Sequence, residues 1–309
     1  KIKGIGGNLN DFDDLLRGAK TFGPDLIIVG PEGPLANGLT DCFLENGFVV
    51  LGPDQKSAQL ESSKSFSKDL MREFGIPTAN YKVYDSFDKA TLGLDEWDWK
   101  KGVAIKADKL AGGKGVFLCF SREEGENTIY KLMKDPLFSV KDEKLIFEEY
   151  LQGKEISAFC LCDGEDFITL GFARDYKRLK EGDKGPNTGG MGGMSLDLSQ
   201  EKDLKAYIEE NVFRKTLSAM KLKGIPFRGI LFAGLMIEPG DRVKVLEFNV
   251  RMGDPETQIL FPLFNEDLYS LFEAAANGQL GNLRKERPLK YRNQVHLKSK
   301  NSVHIVMAS

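Results

Sequence analysis

A strand–helix–strand pattern near the start of the chain restricts the fold more than any other feature of the sequence. Asp25–Gly30 and Phe48–Pro53 are short apolar runs that end in glycine or proline, as buried parallel strands do. Leu35–Asn46 lies between them and predicts a helix, with Gly47 in a position that commonly ends helices. Such a unit requires a parallel sheet, whose ligands bind at the carboxyl ends of the strands.

Length and charge narrow the class of protein. The chain has 309 residues, which predicts about two domains. Lys and Arg total 43 against 46 Asp and Glu, a formal net charge of −3, so we do not expect nucleic acid as a partner. No apolar run approaches the roughly 20 residues that a membrane span needs, so we expect no membrane association.

Cysteine and histidine do not form a metal or nucleophile motif. The four cysteines are Cys42, Cys119, Cys160 and Cys162. They are too few for a disulfide scaffold, and their apolar surroundings predict reduced core residues. His296 and His304 have no acidic or cysteine cluster near them in sequence, which argues against a histidine-based zinc site or catalytic triad.

Beyond the first unit, apolar segments come in closely spaced pairs. Gly102–Ala107 precedes Val116–Phe120, and Leu145–Tyr150 precedes Glu155–Phe159. Such pairs with turn residues between them predict an antiparallel sheet beside helices. Glu201–Lys223 is the longest helical stretch.

Three later segments complete the assignment. Ile230–Ile237 and Val243–Asn249 predict two core strands joined by a turn, and Val303–Ala308 predicts a last apolar strand. Ser62–Phe74 predicts a helix because apolar residues recur every four positions. By themselves, Lys64 and Lys68 of this helix are explained by a solvated face.

A glycine-rich loop follows the strand that ends at Lys106. It includes Gly112, Gly113, Lys114 and Gly115. Glycines allow backbone N–H groups to approach phosphate oxygens closely, and the lysines add positive charge. The pattern is neither a Walker A loop nor a Rossmann fingerprint. A phosphate cover and a flexible glycine hairpin both remain open on this segment alone.

The strand around Lys244–Arg251 combines oxygen ligands with a cation. Alternation predicts that Glu247, Asn249 and Arg251 project together. A carboxylate and an amide oxygen suit magnesium, and Arg251 suits a phosphoryl group or a substrate carboxylate. The alternative is an exposed edge strand with a Glu–Arg pair.

Gly185–Gly193 contains five glycines in nine residues. We predict that it forms no stable element and is either a plain linker or a mobile anion-binding lid.

Together these segments resemble the phosphoribosylamine–glycine ligase (glycinamide ribonucleotide synthetase) family of ATP-grasp ligases. The matching stretches, in the family's order, are residues 29–35, 60–68, 106–116, 148–151, 175–178, 185–192 and 246–258. The resemblance implies an α/β and α+β protein with a partial parallel-sheet N-terminal domain, an ATP-grasp fold and the start of a C-terminal domain. The implied bounds are 1–60, 61–265 with a glycine-rich ATP-binding subdomain at roughly 76–152, and 266–309. Both ends are expected to be truncated relative to the family.

The resemblance also implies a nucleotide site with ATP and Mg²⁺ (or Mn²⁺) as cofactors. It assigns Lys64, Lys106 and the loop Gly112, Gly113, Lys114 and Gly115 to the phosphates, Glu148, Glu149, Tyr150 and Leu151 to adenine, Glu155 to ribose, and Glu247 and Asn249 to the metal. The adenine segment is expected to bind largely through its backbone.

The implied substrates are glycine and 5-phosphoribosylamine. The resemblance assigns catalytic roles to Arg251, Asp175, Lys177 and Asp254, and substrate binding to Glu32, Asn187, Thr188, Gly189, Gly190 and Met191. The implied reaction, a step of purine biosynthesis, passes through glycyl phosphate and needs no protein nucleophile. A cytoplasmic monomer is expected. The alternatives are another ATP-grasp carboxylate–amine ligase and an inactive ATP-binding fragment.

Overall fold

The computed structural model describes residues 6–111, 115–135, 144–182, 184–298 and 300–307. Within them the α-helices are α1 (Phe12–Phe22), α2 (Glu32–Ala36), α3 (Leu39–Glu45), α4 (Gln59–Ser62), α5 (Lys64–Glu73), α6 (Phe87–Gly93), α7 (Arg122–Met133), α8 (Lys202–Ile208), α9 (Lys215–Leu222), α10 (Glu256–Leu260), α11 (Leu268–Ala276) and α12 (Leu280–Glu286). A π-helical segment, Glu209–Arg214, joins α8 to α9. Short 3₁₀ turns lie at Leu94–Glu96, Phe261–Leu263 and Leu289–Tyr291.

Within the described residues, the strands form one large sheet, one smaller sheet and two two-stranded pairs. They are β1 (Ile27–Ile28), β2 (Val50–Leu51), β3 (Tyr81–Tyr84), β4 (Val103–Ala107), β5 (Val116–Cys119), β6 (Leu145–Glu149), β7 (Lys154–Asp163), β8 (Phe167–Asp175), β9 (Arg178–Lys180), β10 (Lys184–Asn187), β11 (Gly192–Leu196), β12 (Arg228–Glu238), β13 (Arg242–Asn249) and β14 (Val303–Ile305). In the part of the chain that is described, no helix combines the length and apolar character that a membrane crossing requires.

The N-terminal unit contains the predicted parallel pair. Ile27 of β1 lies opposite Val50 of β2 in a parallel register. The single helix predicted over Leu35–Asn46 is instead two helices, α2 and α3, because the chain turns at Gly38. The φ of Gly38 is 88°, in the left-handed region that glycine adopts without steric cost.

The large sheet has six strands in the order β13-β12-β7-β8-β11-β14, and apolar side chains cover both of its faces. On one face, Ala158 and Leu231 pack in a core with residues of the N-terminal unit and of the α8–α9 segment. On the other face, Leu161 and Ile230 pack against helices α10 to α12. The sheet is thus the middle layer of three.

The smaller sheet has the order β3-β6-β4-β5 and packs against α6 and α7 around a core of its own. The first predicted strand pair is confirmed, with Val103 of β4 opposite Cys119 of β5 in an antiparallel register. The second predicted pair is divided between the sheets, because β6 joins the small sheet and β7 the large one. The short segment between Glu149 and Lys154 therefore connects the two sheets.

The prediction that Gly185–Gly193 forms no stable element is wrong. Its start lies in β10, which pairs with β9, and its end lies in β11, which pairs with β8. A Cβ on Gly193 would lie 2.5 Å from the carbonyl oxygen of Arg174. Here glycine permits close strand contact, which a count of glycines by itself does not distinguish from a linker.

Candidate active site

In strand β13, the alternation of side chains between the two faces of the sheet is interrupted just before Glu247. Gly234 of β12 lies opposite Glu247 and Leu235 lies opposite Val245, so Leu246 is the extra residue of a β-bulge. Val245 and Phe248 are consequently both buried, with exposed fractions of 0% and 2%. Unbroken alternation would place Glu247 on the same face as Val245, inside the core. The bulge turns Glu247 and Asn249 away from the core.

The carboxylate of Glu247 is available to a ligand. Among the described residues this carboxylate makes no hydrogen bond or ion pair, and its side chain is half-buried. The described residues contain no group of three or more His, Cys, Asp or Glu that could hold a metal ion. The carboxylate of Glu247 and the amide oxygen of Asn249 are of the kind that magnesium binds, and water and nucleotide phosphates usually supply the other ligands of that ion.

Arg251 is held between two carboxylates. Its Nε lies 3.0 Å from Oε2 of Glu32, and its Nη2 lies 3.1 Å from Oε1 of Glu61. The Nη2 atom is also 3.5 Å from Oδ1 of Asn249. The predicted substrate residue Glu32 thus comes from the N-terminal unit to the same point as the end of β13.

Glu61 was missed by sequence reasoning. Its side chain is only 7% exposed, and its Oε2 accepts a hydrogen bond of 2.9 Å from the backbone N–H of Val250. Burial raises the pKa of Glu61 to about 7, although Arg251 and the Val250 hydrogen bond act in the opposite direction. Glu61 lies just before the predicted helix Ser62–Phe74, and no local signal shows that it is buried.

Lys106 and Glu148 form a buried cluster with Lys68. Oε1 of Glu148 lies 3.0 Å from Nζ of Lys106, and Oε2 lies 2.8 Å from Nζ of Lys68. Burial by itself raises the pKa of Glu148, but the two ammonium groups outweigh it and the pKa is lowered. The prediction of a solvated helix face is wrong for Lys68, whose side chain is 2% exposed.

Asp108 attaches the glycine-rich loop to the start of helix α5. Its Oδ1 accepts a hydrogen bond of 2.6 Å from the backbone N–H of Ser65. Ser63 caps the helix by accepting from the N–H of Phe66 at 3.2 Å. Lys64, at the same helix start, donates to the carbonyl oxygen of Lys109 at 3.3 Å.

The predicted phosphate cover is described only at its ends. The carbonyl oxygen of Gly115 accepts a hydrogen bond of 2.9 Å from the N–H of Ala107. Gly112, Gly113 and Lys114 lie outside the described residues.

The predicted adenine segment uses its side chains for internal contacts. Glu149 accepts from the backbone N–H of Asn80 at 3.1 Å and also pairs with Lys244. Leu151 is buried, and the N–H of Tyr150 bonds to the carbonyl of Gly102 at 3.3 Å. The side chain of Glu149 and the backbone N–H of Tyr150 are thus engaged within the protein, and the adenine role of residues 148–151 stays a prediction.

Lys177 joins two of the predicted acidic residues. Its Nζ lies 2.7 Å from Oε1 of Glu155 and 3.5 Å from Oδ2 of Asp175. Burial by itself lowers the pKa of Lys177, but the two carboxylates outweigh it and raise the pKa above its usual range. Burial raises the pKa of Asp175. Buried Glu256, bonded to Ser157 at 3.0 Å, belongs to the same region, and burial raises its pKa too.

The end of the second glycine-rich segment bonds to the backbone beside Lys177. The N–H and hydroxyl of Thr188 donate to the carbonyl oxygen of Lys177 at 2.7 and 2.9 Å. The N–H of Gly190 donates to Oγ1 of Thr188 at 3.1 Å, and a Cβ on Gly190 would lie 3.0 Å from Cδ of Pro255. Thr188 to Met191 therefore lie between Lys177 and the Asp254–Pro255 turn. Asp254 itself accepts from Nε2 of Gln258 at 2.7 Å.

Comparison with known proteins shows that the chain is similar to one family of ligases. A family model described as phosphoribosylglycinamide synthetase, ATP-grasp (A) domain, matches residues 62–257, and the N domain model of the same family matches residues 3–61. The phosphoribosylamine–glycine ligase of Caldanaerobacter subterraneus subsp. tengcongensis is 42% identical over 262 residues, which cover 85% of this chain and 62% of that protein. The trifunctional purine biosynthetic protein adenosine-3 of Gallus gallus is 41% identical over 284 residues, 92% of this chain and 27% of that protein.

Two solved structures are similar to the chain, one of them a ligase of the same name. The crystal structure of the phosphoribosylamine–glycine ligase of Thermotoga maritima matches with a TM-score of 0.78 and 33% identity, over 94% of this chain and 69% of that one. The biotin carboxylase of Campylobacter jejuni matches with a TM-score of 0.71 at 16% identity, over 95% of this chain and 61% of that one, which shows a shared fold alone.

Proposed function

The chain belongs to the phosphoribosylglycinamide synthetase family and has an ATP-grasp fold, and we propose that it joins glycine to 5-phosphoribosylamine at the expense of ATP. The products are glycinamide ribonucleotide, ADP and phosphate, a step of purine biosynthesis. The chain spans 62% and 60% of the length of two bacterial ligases that it matches, so the activity of the whole protein is itself part of the proposal.

One observation supports the proposal above the others. The bulge in β13 presents Glu247 and Asn249 on one face, with the Glu247 carboxylate unpaired among the described residues and the Arg251 guanidinium beside Asn249. Glu247 and Asn249 would hold Mg²⁺ (or Mn²⁺), which supplies charge neutralisation to the phosphates when it is bound. Lys106, Lys64 and the Gly112–Gly115 loop would bind those phosphates.

Two bond exchanges complete the reaction. A carboxylate oxygen of glycine attacks the γ-phosphorus of ATP, so that an acyl phosphate forms and ADP leaves. The amine nitrogen of phosphoribosylamine then attacks the acyl carbon, a C–N bond forms, phosphate leaves, and the nitrogen loses a proton. Both nucleophiles belong to the substrates, so the residues of the site contribute orientation and charge.

The remaining roles are the ones that the family resemblance implies. Residues 148–151 would bind adenine through their backbone, and Glu155 would bind ribose. Asp175, Lys177, Asp254, the 187–191 segment and Glu32 with Arg251 would surround the two substrates and the acyl phosphate. Lys177, which pairs with both Glu155 and Asp175, connects the ribose and substrate ends of the site.

Domain organisation and location belong to the same proposal. We take residues 1–60 as part of an N-terminal domain, 61–265 as the ATP-grasp domain with its ATP-binding subdomain at roughly 76–152, and 266–309 as the start of a C-terminal domain. A cytoplasmic location fits the four cysteines, which are unpaired as in proteins of reducing compartments, and we take the protein to be a monomer.

Phosphate release with and without each substrate tests the proposal. We expect release only when ATP, glycine and 5-phosphoribosylamine are all present, and we expect Glu247→Gln to lower the rate at least about 100-fold because the metal loses its charged ligand. Glu286→Gln, which removes an exposed carboxylate from α12, is the matched control and should retain the rate. Release with a different acid or amine would identify another ligase. Binding of ATP without release from any substrate would identify an ATP-binding fragment.

A further inference from the structure

Lys68 is a buried cation that the proposed reaction does not use directly. It lies on α5, and its side chain is 2% exposed. Its Nζ donates to Oε2 of Glu148 at 2.8 Å and to Oγ1 of Thr78 at 2.8 Å. An ammonium group this deeply buried is costly unless its partners are well placed, and an apolar residue would fill the same volume at lower cost.

The contacts of Lys68 extend to three separate elements. Glu148 belongs to β6 of the small sheet and pairs with Lys106 of β4 at 3.0 Å. Thr78 donates its hydroxyl hydrogen to the carbonyl oxygen of Val245 on β13 at 2.7 Å. Lys68 therefore connects α5, the strand that carries Lys106, and the strand that carries the candidate metal ligands.

The charge balance of the cluster depends on Lys68. Two ammonium groups share the single carboxylate of Glu148, so the cluster keeps one net positive charge. Without Lys68, Glu148 and Lys106 would form a neutral pair, and Lys106 would have to leave the one carboxylate that it neutralises in order to bind a phosphate. The Nζ of Lys106 also lies 3.5 Å from the carbonyl oxygen of Leu246, the bulge residue next to Glu247.

We propose that Lys68 is a positioning residue for nucleotide binding. By holding Glu148, it keeps the Lys106 ammonium beside the Glu247–Asn249 face and electrically available to the phosphates of ATP. The inference rests on the proposed function, because it assumes that Lys106 binds those phosphates.

A double-mutant cycle on nucleotide affinity tests this role. The variants are Lys68→Met, Lys106→Met and the double variant, and calorimetry measures the Kd of MgATP and of adenosine, which lacks phosphates. We expect Lys68→Met to raise the Kd of MgATP about tenfold, as loss of a charge-assisted contact does. The Kd of adenosine should change less than about twofold. In the chain that already carries Lys106→Met, adding Lys68→Met should raise the Kd of MgATP less than about twofold further. Arg72→Met, which removes an exposed cation from the same helix, is the control that should leave both affinities unchanged.

Three results would overturn the inference. The first is an unchanged MgATP affinity in Lys68→Met. The second is an equal loss of MgATP affinity with and without Lys106→Met, and the third is an equal loss of affinity for adenosine; either indicates general damage to the fold. If Lys68→Met does not fold, Thr78→Val decides: it removes one acceptor of Lys68 and the link to Val245, and should raise the MgATP Kd about threefold. No change in that variant refutes the role. Failure of the proposed function is distinct, because it would appear as phosphate release by the unmodified chain that does not require glycine and 5-phosphoribosylamine, whereas this inference is tested on MgATP affinity alone.

Discussion

Replacement of Glu61 by Gln should separate stability from activity. Gln retains an oxygen that accepts the 2.9 Å hydrogen bond from the N–H of Val250, but removes the charge that faces Arg251 at 3.1 Å. Because the carboxylate is buried, its ionisation in the folded state is unfavourable. The variant should therefore gain stability relative to the original chain as pH rises.

The magnitude follows from the pKa. Burial raises the pKa of Glu61 from 4.5 to about 7, a difference that corresponds to ~3 kcal/mol. The folded state binds the proton more tightly than the unfolded state, so this group lowers stability as pH rises. Its contribution is absent below pH ~4.5, grows through the window between the two pKa values, and is complete above pH ~7.

Urea unfolding in the absence of nucleotide and divalent ions measures this difference. The free energy of unfolding of Glu61→Gln, minus that of the original chain, should increase by ~3 kcal/mol between pH 4 and pH 8. Glu45→Gln, at an exposed position of α3, should show no such increase. At pH 8 the variant should lose ligase activity at least about tenfold, because Arg251 loses one of its two charged partners.

The stability difference is decisive. If it is the same at pH 4 and pH 8, Glu61 does not titrate as a buried carboxylate, and the reasoning from its burial is refuted. Full activity of the variant would show that Glu32 alone is sufficient to orient Arg251.

Two further predictions concern the packing that supports the site. Phe213→Ala should lower the free energy of unfolding by ~3–5 kcal/mol, since Phe213 is fully buried and contacts the Phe167 ring. Urea unfolding measures this loss, and the control Phe22→Ala, at an exposed position, should lose much less. Equal losses in the two variants would contradict the prediction. Gly193→Ala should cost ~1–3 kcal/mol in the same assay, because the added Cβ meets the Arg174 carbonyl at 2.5 Å, whereas Gly18→Ala on α1 meets nothing and should not destabilise. A stable Gly193→Ala variant would show that β8 and β11 can separate without cost.

Much of the architecture could be predicted from local sequence. Apolar runs ended by glycine or proline located β1 and β2, and closely spaced apolar pairs located β4 with β5 and β12 with β13. These elements are readable because strand and helix periods depend on neighbouring residues. The family resemblance, which depends on motifs in sequential order, is confirmed by the two family models.

Other features depend on contacts between distant segments. A sequence period cannot show that Leu246 is a bulge, because the register is set by which residues of β12 lie opposite β13. It also cannot distinguish Lys68, which is buried, from Lys64, whose ammonium meets the glycine-rich loop, because both lie on one charged helix.

Local composition determined most of the strands and helices, though not β10 and β11, since backbone preference and apolar spacing act over a few residues. Only tertiary packing decided which charged side chains lose water and which remain open to a ligand. Glu61 and Lys68 are buried by elements far away in the chain, and Glu247 is turned outward by the register of its neighbour. Burial and register are properties of paired segments, and the desolvation that they impose sets the charges of the candidate site.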